Sequence, residues 1–160
     1  MEYQSVFKTL NQFKVKYLVC GGMAVNIYGI PRMTADIDLL IEFNEKNISD
    51  FESALKLLSY QHSIPFPIRN FINKEERMKA ISEKNLIAYS YYNSSSGFMN
   101  LDVLLDVPMD FEEMWNKKST KNFKDTEIYL VSVDHLIAMK KYSNRIQDQN
   151  DVLLLSKLIK

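Results

Sequence analysis

The sequence of 160 residues contains a single cysteine, Cys20, so no disulfide can form within the chain. It also has no apolar run of the roughly 18 to 20 residues that a membrane-spanning helix requires. The first ten residues, MEYQSVFKTL, lack the basic and apolar regions of a secretion signal. We therefore expect a cytoplasmic protein with no membrane partner, in which Cys20 is a small buried hydrophobe.

Neither sign of charge predominates in the sequence. Twenty basic side chains balance twenty acidic ones, and the isoelectric point is about 6.7. This balance argues against a broadly basic surface that coats nucleic acid, although it is compatible with a local basic patch. Hydrophobic residues make up 46% of the chain, enough for a substantial core. We expect one domain over residues 1–160, on which the helices from about residue 132 pack.

Glycine is also scarce, with four residues, but two of the four are adjacent. Gly21 and Gly22 directly follow a short apolar run at 16–20, which we predict to be a buried strand. The residues after them, 23–28, predict a short helix that ends at Gly29. A glycine turn that opens a helix leaves backbone N–H groups uncovered beside the positive end of the helix dipole. The pattern therefore favours phosphate binding.

Two carboxylates begin the next predicted strand, residues 36–43. Because side chains alternate across a strand, Asp36 and Asp38 share one face while apolar residues share the other. Neighbouring carboxylates repel each other unless a cation lies between them, so the pair indicates a site for a divalent metal ion such as Mg²⁺. A Gly-Gly alone is usually only a turn, and an Asp-x-Asp alone only a solvated strand end. Their combination is much more specific.

The combined stretch GGMAVNIYGIPRMTADIDLLI resembles the nucleotidyltransferase superfamily related to DNA polymerase β. The signature of that superfamily is a Gly-Gly or Gly-Ser turn followed by a metal-binding Asp-x-Asp. The stretch is most similar to the stand-alone bacterial and archaeal nucleotidyltransferases that include the AbiEii-like toxins. The resemblance implies an α+β nucleotidyltransferase fold with a mixed β-sheet of about four to five strands flanked by helices.

The resemblance also implies an activity. The protein would move a nucleoside monophosphate from a nucleoside triphosphate, such as ATP, to a hydroxyl of an RNA, protein or small-molecule acceptor. It would depend on two Mg²⁺ ions, or Mn²⁺ in their place, roughly 3.5 to 4 Å apart and bridged by Asp36 and Asp38. The backbone amides of Gly21 and Gly22 would hold the β- and γ-phosphates. A toxin–antitoxin setting with an antitoxin partner is compatible with this resemblance.

The superfamily carries a third catalytic carboxylate on a later strand. Apolar runs at 86–92 and 98–106, joined by a turn at 93–97, predict an antiparallel hairpin. Asp102 lies in the middle of the second run, where a carboxylate is costly unless it is exposed or meets a cation. Asp106 lies at the end of the run and is the alternative. We predict Asp102 to be the third catalytic residue and metal ligand.

Three further residues are predicted to bind nucleotide. Arg32 and Thr34 lie between the glycine strand and the metal strand, near the expected phosphates; an ordinary surface arginine is the alternative for the first. On a helix capped by Ser132, helical spacing places Lys140 on the apolar face, and an inward lysine needs an anion. The toxin-like branch follows this lysine with an arginine and two aspartates at spacings that this chain reproduces. We interpret those three as a structural ion pair and the cap of the last helix: Arg145, Asp148 and Asp151.

The remaining patterns complete the expected fold. Helices are predicted at 2–14, from a Ser49 cap to about residue 60, once within 62–84, and at 108–118 with Asp110 as its cap. A basic loop at 117–124 and a short strand at 127–131 follow. Four apolar residues near the C-terminus are expected to pack on the core: Val152, Leu155, Leu158 and Ile159.

Two other functions are compatible with the same features. A catalytically weak module that binds nucleotide or a partner could keep this fold without turnover. A metal-dependent phosphohydrolase is a third possibility, but such sites use histidines and additional aspartates. The two histidines of this chain, His62 and His135, lack the spacing of metal ligands.

Overall fold

The computed structural model of the protein describes residues 2–95 and 97–159, and shows an α+β fold in which helices flank one mixed sheet. The strands within those ranges are β1 (Tyr17–Cys20), β2 (Asp36–Ile41), β3 (Gln61–His62), β4 (Ala88–Tyr92), β5 (Asn100–Leu104), β6 (Ser119–Phe123) and β7 (Thr126–Leu130). The α-helices are α1 (Glu2–Gln12), α2 (Gly21–Ile27), α3 (Glu45–Leu57), α4 (Lys74–Lys84), α5 (Phe111–Asn116), α6 (Val133–Ser143) and α7 (Ile146–Ser156). Single 3₁₀ turns lie at Ile68–Ile72 and Lys157–Ile159.

The sheet has the strand order β3-β4-β5-β2-β1-β7-β6. At its centre β2 runs antiparallel to β1 and parallel to β5, and β1 runs parallel to β7. The predicted hairpin of β4 and β5 is confirmed, since the two strands pair antiparallel. Ser96, in the predicted turn between them, lies outside the described residues. This mixed topology places the glycine turn after β1 beside the start of β2.

The described sheet has seven strands, so the expectation of about four to five was wrong. Both edge strands escaped prediction because their sequences are polar. β3 is only two residues long and exposed, while β6 lies in the basic segment 117–124 that was predicted to be a loop. Such an edge strand is fixed by pairing with a distant neighbour, here β4 or β7, and carries no apolar alternation of its own.

One face of the sheet is fully covered by helices. The predicted apolar face of β2, formed by Ile37 and Leu39, is completely buried. On the same face, the Tyr17 ring of β1 stacks on Phe7 of α1, with ring centroids 5.7 Å apart. Phe51 of α3 packs edge to face on Tyr91 of β4 at 5.7 Å. Burial of these large side chains supplies the main stabilisation of the fold and leaves the other face of β2 for polar groups.

Helix boundaries agree with the sequence at some ends and not at others. Ser132 caps α6 as predicted, since its hydroxyl accepts the backbone N–H of His135. α3 begins earlier than predicted, because the side chain of Asn44 accepts the N–H of Asn47 and Ser49 lies inside the helix. At the C-terminus Leu155 is buried, but Leu158 and Ile159 are exposed, which corrects their assignment to the core.

The described part of the chain has no candidate membrane-spanning helix and no reactive thiol. The longest helix, α3, has 13 residues, and no helix there is both long and apolar enough to cross a membrane. Cys20 is free and completely buried at the end of β1, as expected. Burial, with a contribution from the charge of Asp38, raises the pKa of its thiol well above the ordinary range. The thiol therefore stays protonated at neutral pH.

Asn47 of α3 connects the helix to the ends of β1 and β2. Its carboxamide accepts the backbone N–H of Lys16 at 2.8 Å and donates to the carbonyl groups of Lys16 and Glu42 at 3.0 and 2.9 Å. Replacement by alanine leaves the N–H of Lys16 and the carbonyl groups of Lys16 and Glu42 without these hydrogen-bond partners. We therefore expect Asn47→Ala to lower the free energy of unfolding by about 2 to 3 kcal/mol. Urea denaturation measures this value.

Ser53 provides the matched control on the same helix. Its hydroxyl is exposed and donates to the carbonyl of Ser49 at 2.9 Å. Because water replaces this bond, we expect Ser53→Ala to change the free energy of unfolding by no more than about 0.5 kcal/mol. Similar values for the Asn47 and Ser53 variants would contradict the role given to the buried carboxamide.

Candidate active site

The strand register brings the three predicted carboxylates to one face of the sheet. Asp38 pairs with Cys20 of β1 on one side and directly with Asp102 of β5 on the other, while Asp36 pairs with Asn100. Directly paired residues point to the same side, and neighbouring strands are roughly 4.8 Å apart. Asp36 and Asp38 are two positions apart on one strand, so their Cα atoms are roughly 6.6 Å apart. The three carboxylates therefore form a compact set opposite the buried apolar face.

Asp106, the alternative third carboxylate, lies elsewhere. It follows the end of β5, and its side chain accepts a hydrogen bond from the Tyr142 hydroxyl at 2.9 Å. Four residues along the chain separate it from Asp102, which alone of the two is in register with Asp38. The geometry thus favours Asp102 over Asp106 as the partner of the Asp-x-Asp pair.

The glycine turn is closely packed against residues of the site. Gly21 has a φ of +62°, a conformation that disfavours side chains, and a Cβ added there would overlap the Asp38 carboxylate. A Cβ added at Gly22 would lie 3.0 Å from Thr34 Oγ1 and 3.2 Å from the guanidinium carbon of Arg32. Gly21 is therefore required by Asp38, while a side chain at Gly22 would push against Thr34 and Arg32, which were predicted to belong to the same site.

The carboxylates perturb one another. Burial is the main cause that raises the pKa of Asp38 to about 6, followed by the negative charges of Asp102 and Asp36, while Lys140 and Arg145 oppose the increase. Burial and the charge of Asp102 likewise raise the pKa of Asp36. The set therefore carries electrostatic repulsion that a bound cation would relieve.

Asp36, Asp38 and Asp102 have the right type of ligand atom for a divalent cation, but their side chains are not arranged as a metal site. Their oxygen atoms are the ligands that Mg²⁺ prefers, and they approach closely enough to raise the pKa of Asp38. Within the described ranges, no three or more His, Cys, Asp or Glu side chains are grouped so that they could hold a metal ion as they stand. Asp38 instead leans over Gly21. A cation would have to draw the three carboxylates together.

Lys140 points inward as predicted, and its anionic partners belong to the protein. The side chain is buried, and its Nζ lies 3.1 Å from Asp148 Oδ1 and 3.0 Å from Asp151 Oδ2. Arg32 forms a second ion pair with Asp151 through its Nη1. In this structure two buried carboxylates already neutralise the ammonium group. The structure therefore offers no direct support for the predicted contact of Lys140 with nucleotide.

Asp148 has the capping role that the sequence suggested. Its Oδ2 accepts hydrogen bonds from the Arg145 backbone N–H at 3.1 Å, from Arg145 Nε at 3.0 Å and from the Ser143 hydroxyl at 2.8 Å. Burial would raise the pKa of Asp148, but the hydrogen bonds from Arg145, Ser143 and Lys140 together hold it well below the ordinary range. Asp148 therefore stays ionised and fixes the start of α7.

Asp151 departs from its interpretation as part of a cap. It lies inside α7 and reaches Arg32, which is 119 residues earlier in the chain. Sequence analysis also missed Asn26, whose side chain accepts the backbone N–H of Arg32 at 2.7 Å and so shapes the segment before β2. The contact of Asp151 with Arg32 is created by the tertiary fold, whereas that of Asn26 with Arg32 spans six residues, from α2 into a segment that follows no regular spacing.

A family model matches residues 7–150 of the chain, and its description reads "Nucleotidyl transferase AbiEii toxin, Type IV TA system". This match covers most of the sequence and every residue of the candidate site up to Asp148. No curated protein matches the chain.

The fold is similar to those of several solved structures. The lincosamide antibiotic adenylyltransferase LnuA, lincomycin-bound, superposes with a TM-score of 0.62 at 16% identity, covering 97% of this chain and 94% of its own. ANT(2")-Ia in complex with adenylyl-2"-tobramycin gives 0.60 at 10% identity, with 99% and 87% covered. An antigenic nucleotidyltransferase-like protein from Paracoccidioides brasiliensis gives 0.57 at 19% identity, with 98% and 76% covered. At these identities the similarity establishes the fold.

The contact between Gly21 and Asp38 can be tested against another glycine of positive φ. Gly29 has a φ of +97°, is exposed, and has nothing within 4 Å of an added Cβ. We expect Gly29→Ala to cost about 1 to 2 kcal/mol of unfolding free energy from backbone strain alone. Gly21→Ala adds displacement of the Asp38 carboxylate and should cost clearly more in the same urea titration. Equal losses would show that Asp38 does not require the bare backbone.

The raised pKa of Asp38 has a consequence for stability. An acid whose folded pKa lies above its unfolded value favours the protonated state on folding, so stability is lost as the pH rises from about 4 through 6. We therefore expect Asp38→Asn to gain on the wild type over this interval, by as much as ~3 kcal/mol at pH 7. Urea denaturation of chelator-treated protein at several pH values measures the difference, and parallel stability curves would contradict it.

Proposed function

Since the chain belongs to the AbiEii nucleotidyltransferase toxin family, we propose that it transfers a nucleoside monophosphate from a nucleoside triphosphate such as ATP to an acceptor hydroxyl, using Asp36, Asp38 and Asp102. The observation that carries this proposal is the register of β1, β2 and β5, which gathers three carboxylates on one face beside a bare glycine turn. We take residues 1–160 as a single nucleotidyltransferase domain of the cytoplasm.

The three carboxylates would hold Mg²⁺, as a pair of ions, with Mn²⁺ as a possible substitute. Bound there, the ions supply positive charge that stabilises the transferring α-phosphate and lowers the pKa of the attacking hydroxyl. Support for this assignment comes from the oxygen donor set and from the raised pKa of Asp38, which reflects burial first and then the negative charges of Asp102 and Asp36. Metal binding should therefore stabilise the folded protein.

The residues of the chain divide the remaining tasks. Gly21 and Gly22 leave the backbone uncovered, so the β- and γ-phosphates can approach it closely. Thr34 and Arg32 lie against Gly22 and would orient those phosphates by donating hydrogen bonds. Asp102, on the strand farther from the turn, would accept the proton of the attacking hydroxyl.

Lys140 has a more remote part in this scheme than the sequence suggested. Its ammonium group is occupied by Asp148 and Asp151, yet its charge lowers the pKa of Asp38. We propose that Lys140 contributes positive potential to the nucleotide site without a direct bond to phosphate. The ion pairs that hold it also keep α6 and α7 against the site.

The acceptor is an RNA, a protein or a small molecule that carries a free hydroxyl. The LnuA and ANT(2")-Ia structures contain an antibiotic and an adenylylated antibiotic, respectively, which favours a small molecule. Membership of a toxin family favours a macromolecule of the cell and an antitoxin partner. The balanced charge of the chain gives no broad basic surface that would select RNA among these.

A transfer assay tests the activity. The purified protein is incubated with Mg²⁺, cell extract and each α-³²P-labelled nucleoside triphosphate in turn. We expect label from one or more of them to enter a product, and digestion with nuclease or protease then assigns the product to RNA, protein or small molecules. Saturable binding of nucleotide without any transfer would instead support the catalytically weak binding module.

Two aspartates near the end of one strand provide a matched pair of variants. We expect Asp102→Asn to lower the transfer rate by about 100-fold or more, because it removes one of three ligands for charge stabilisation. Asp106→Asn removes a carboxylate that is out of register and should leave the rate nearly unchanged. Circular dichroism checks that both variants fold. A greater loss in the Asp106 variant would move the third carboxylate to that position.

A further inference from the structure

We propose that Asp151 is a positioning residue for nucleotide binding: it holds the Arg32 guanidinium against the glycine turn without touching the nucleotide itself. This inference rests on the proposed function, which places the phosphates at Gly21 and Gly22. It adds a residue from α7 to the nucleotide site and gives a function to Asp151, which the sequence pattern alone presents as structural.

Arg32 lies in a segment without helix or strand, between α2 and β2, where neighbouring side chains are exposed. Met33, the next residue, is 92% exposed, whereas the Arg32 side chain is only 16% exposed. Its guanidinium carbon and Nε would each lie 3.2 Å from a Cβ at Gly22. Since a surface arginine normally extends into water, something must hold this one against the turn.

Asp151 supplies that hold. Its carboxylate pairs with Arg32 Nη1 and is almost completely buried. The same oxygen lies 3.0 Å from the Nζ of Lys140, which in turn is bonded to Asp148 at the start of α7. A buried carboxylate with two cationic partners does not readily exchange them for water, because leaving either charge unpaired is costly. Asp151 is thus a fixed anchor for the Arg32 guanidinium.

The geometry leaves Arg32 free to bind an anion. A guanidinium has five N–H donors; Nη1 serves Asp151, and Nε points to the Met33 carbonyl at 3.4 Å. Nη2 makes no hydrogen bond within the described residues and can donate to a phosphate oxygen. The negative charge of Asp151 is shared between two cations, because the same carboxylate oxygen also pairs with Lys140, so it does not neutralise Arg32 alone.

Loss of the Asp151 carboxylate should weaken nucleotide binding because Arg32 is no longer held in place before the nucleotide arrives. An unpaired Arg32 would sample solvent and would have to be ordered again each time a nucleotide binds. Asp151→Asn keeps the size of the side chain but removes its charge, so we expect about tenfold weaker binding of nucleoside triphosphate. Isothermal titration with the four α,β-methylene nucleoside triphosphates and Mg²⁺ measures the dissociation constants without turnover.

Asp148 offers a matched control in the same cluster. It is as deeply buried as Asp151 and also bonds Lys140, but it makes no contact with Arg32. We expect Asp148→Asn to weaken binding clearly less than Asp151→Asn does, even where it costs more stability, because Arg32 keeps its own partner. Equal losses of affinity in the two variants would overturn the proposal, because they would reflect damage to the cluster as a whole.

A double variant separates action through Arg32 from other effects. If Asp151 acts only by holding Arg32, then Asp151→Asn should cause no further loss of affinity in an Arg32→Ala background. Additive losses would overturn the proposal. Should Asp151→Asn fail to fold, Asp151→Glu replaces it: the charge is kept, the extra methylene displaces the guanidinium, and a severalfold loss is expected. Unchanged affinity in that variant would count against the positioning role.

A structural measurement complements the titrations and needs no nucleotide. In ¹H–¹⁵N spectra of the free protein, the amide signal of Gly22 should shift in Asp151→Asn and stay in place in Asp148→Asn. The outcomes also separate this inference from the proposed function. If the wild type binds none of the nucleotides, both fall together. If the wild type binds and Asp151→Asn binds equally well, only the positioning role is wrong.

Discussion

The contact between the backbone of Gly21 and the carboxylate of Asp38 is the constraint on which the candidate site depends. It follows from the antiparallel pairing of β1 and β2, in which Cys20 and Asp38 are direct partners. The chain leaves β1 with a positive φ at the next residue, and the carboxylate occupies the space that a Cβ would need. The backbone proposed to bind phosphate and the carboxylate proposed to bind metal are thereby set side by side by a single strand pairing. Any shift of that register by one residue would turn Asp38 to the opposite face.

This arrangement is costly to the folded state and has to be compensated elsewhere. The pKa of Asp38 is raised, first by burial and then by its acidic neighbours, so the ionised site opposes folding at neutral pH. The opposite face of the same strand offsets this cost, since Ile37 and Leu39 are completely buried in the core. Strand alternation thus separates function from stability within six residues. Substitutions of the buried apolar residues should therefore lower the free energy of unfolding, whereas neutralising Asp38 on the other face should raise it at neutral pH.

How far the sequence determines the site depends on the range of the contacts. The glycine turn and the shared face of Asp36 and Asp38 follow from spacing within one segment, and the structure has both. The direct pairing with Asp102 required a register that alternation restricts but does not specify. The exposed strand β3 and the polar strand β6 carry no local signal, because pairing with β4 and β7 creates them. The ion pair of Arg32 with Asp151 is beyond any local argument, since 119 residues separate the two.

Lys140 is buried as the sequence predicts, and the anions that it pairs with in the structure come from the protein itself. Helical spacing placed the side chain on the inner face, and a buried ammonium group does require an anion. Its anions are Asp148 and Asp151, which lie on the following helix at spacings of 8 and 11 residues. A lysine paired in this way cannot readily leave for a phosphate, because two carboxylates would then be stranded in the interior. Its charge instead fixes Asp151, and Asp151 reaches back to Arg32 beside the glycine turn. The ion pairs therefore connect the last two helices to the segment beside the glycine turn, and in the proposed nucleotide site the Lys-Arg-Asp-Asp pattern would act as a support.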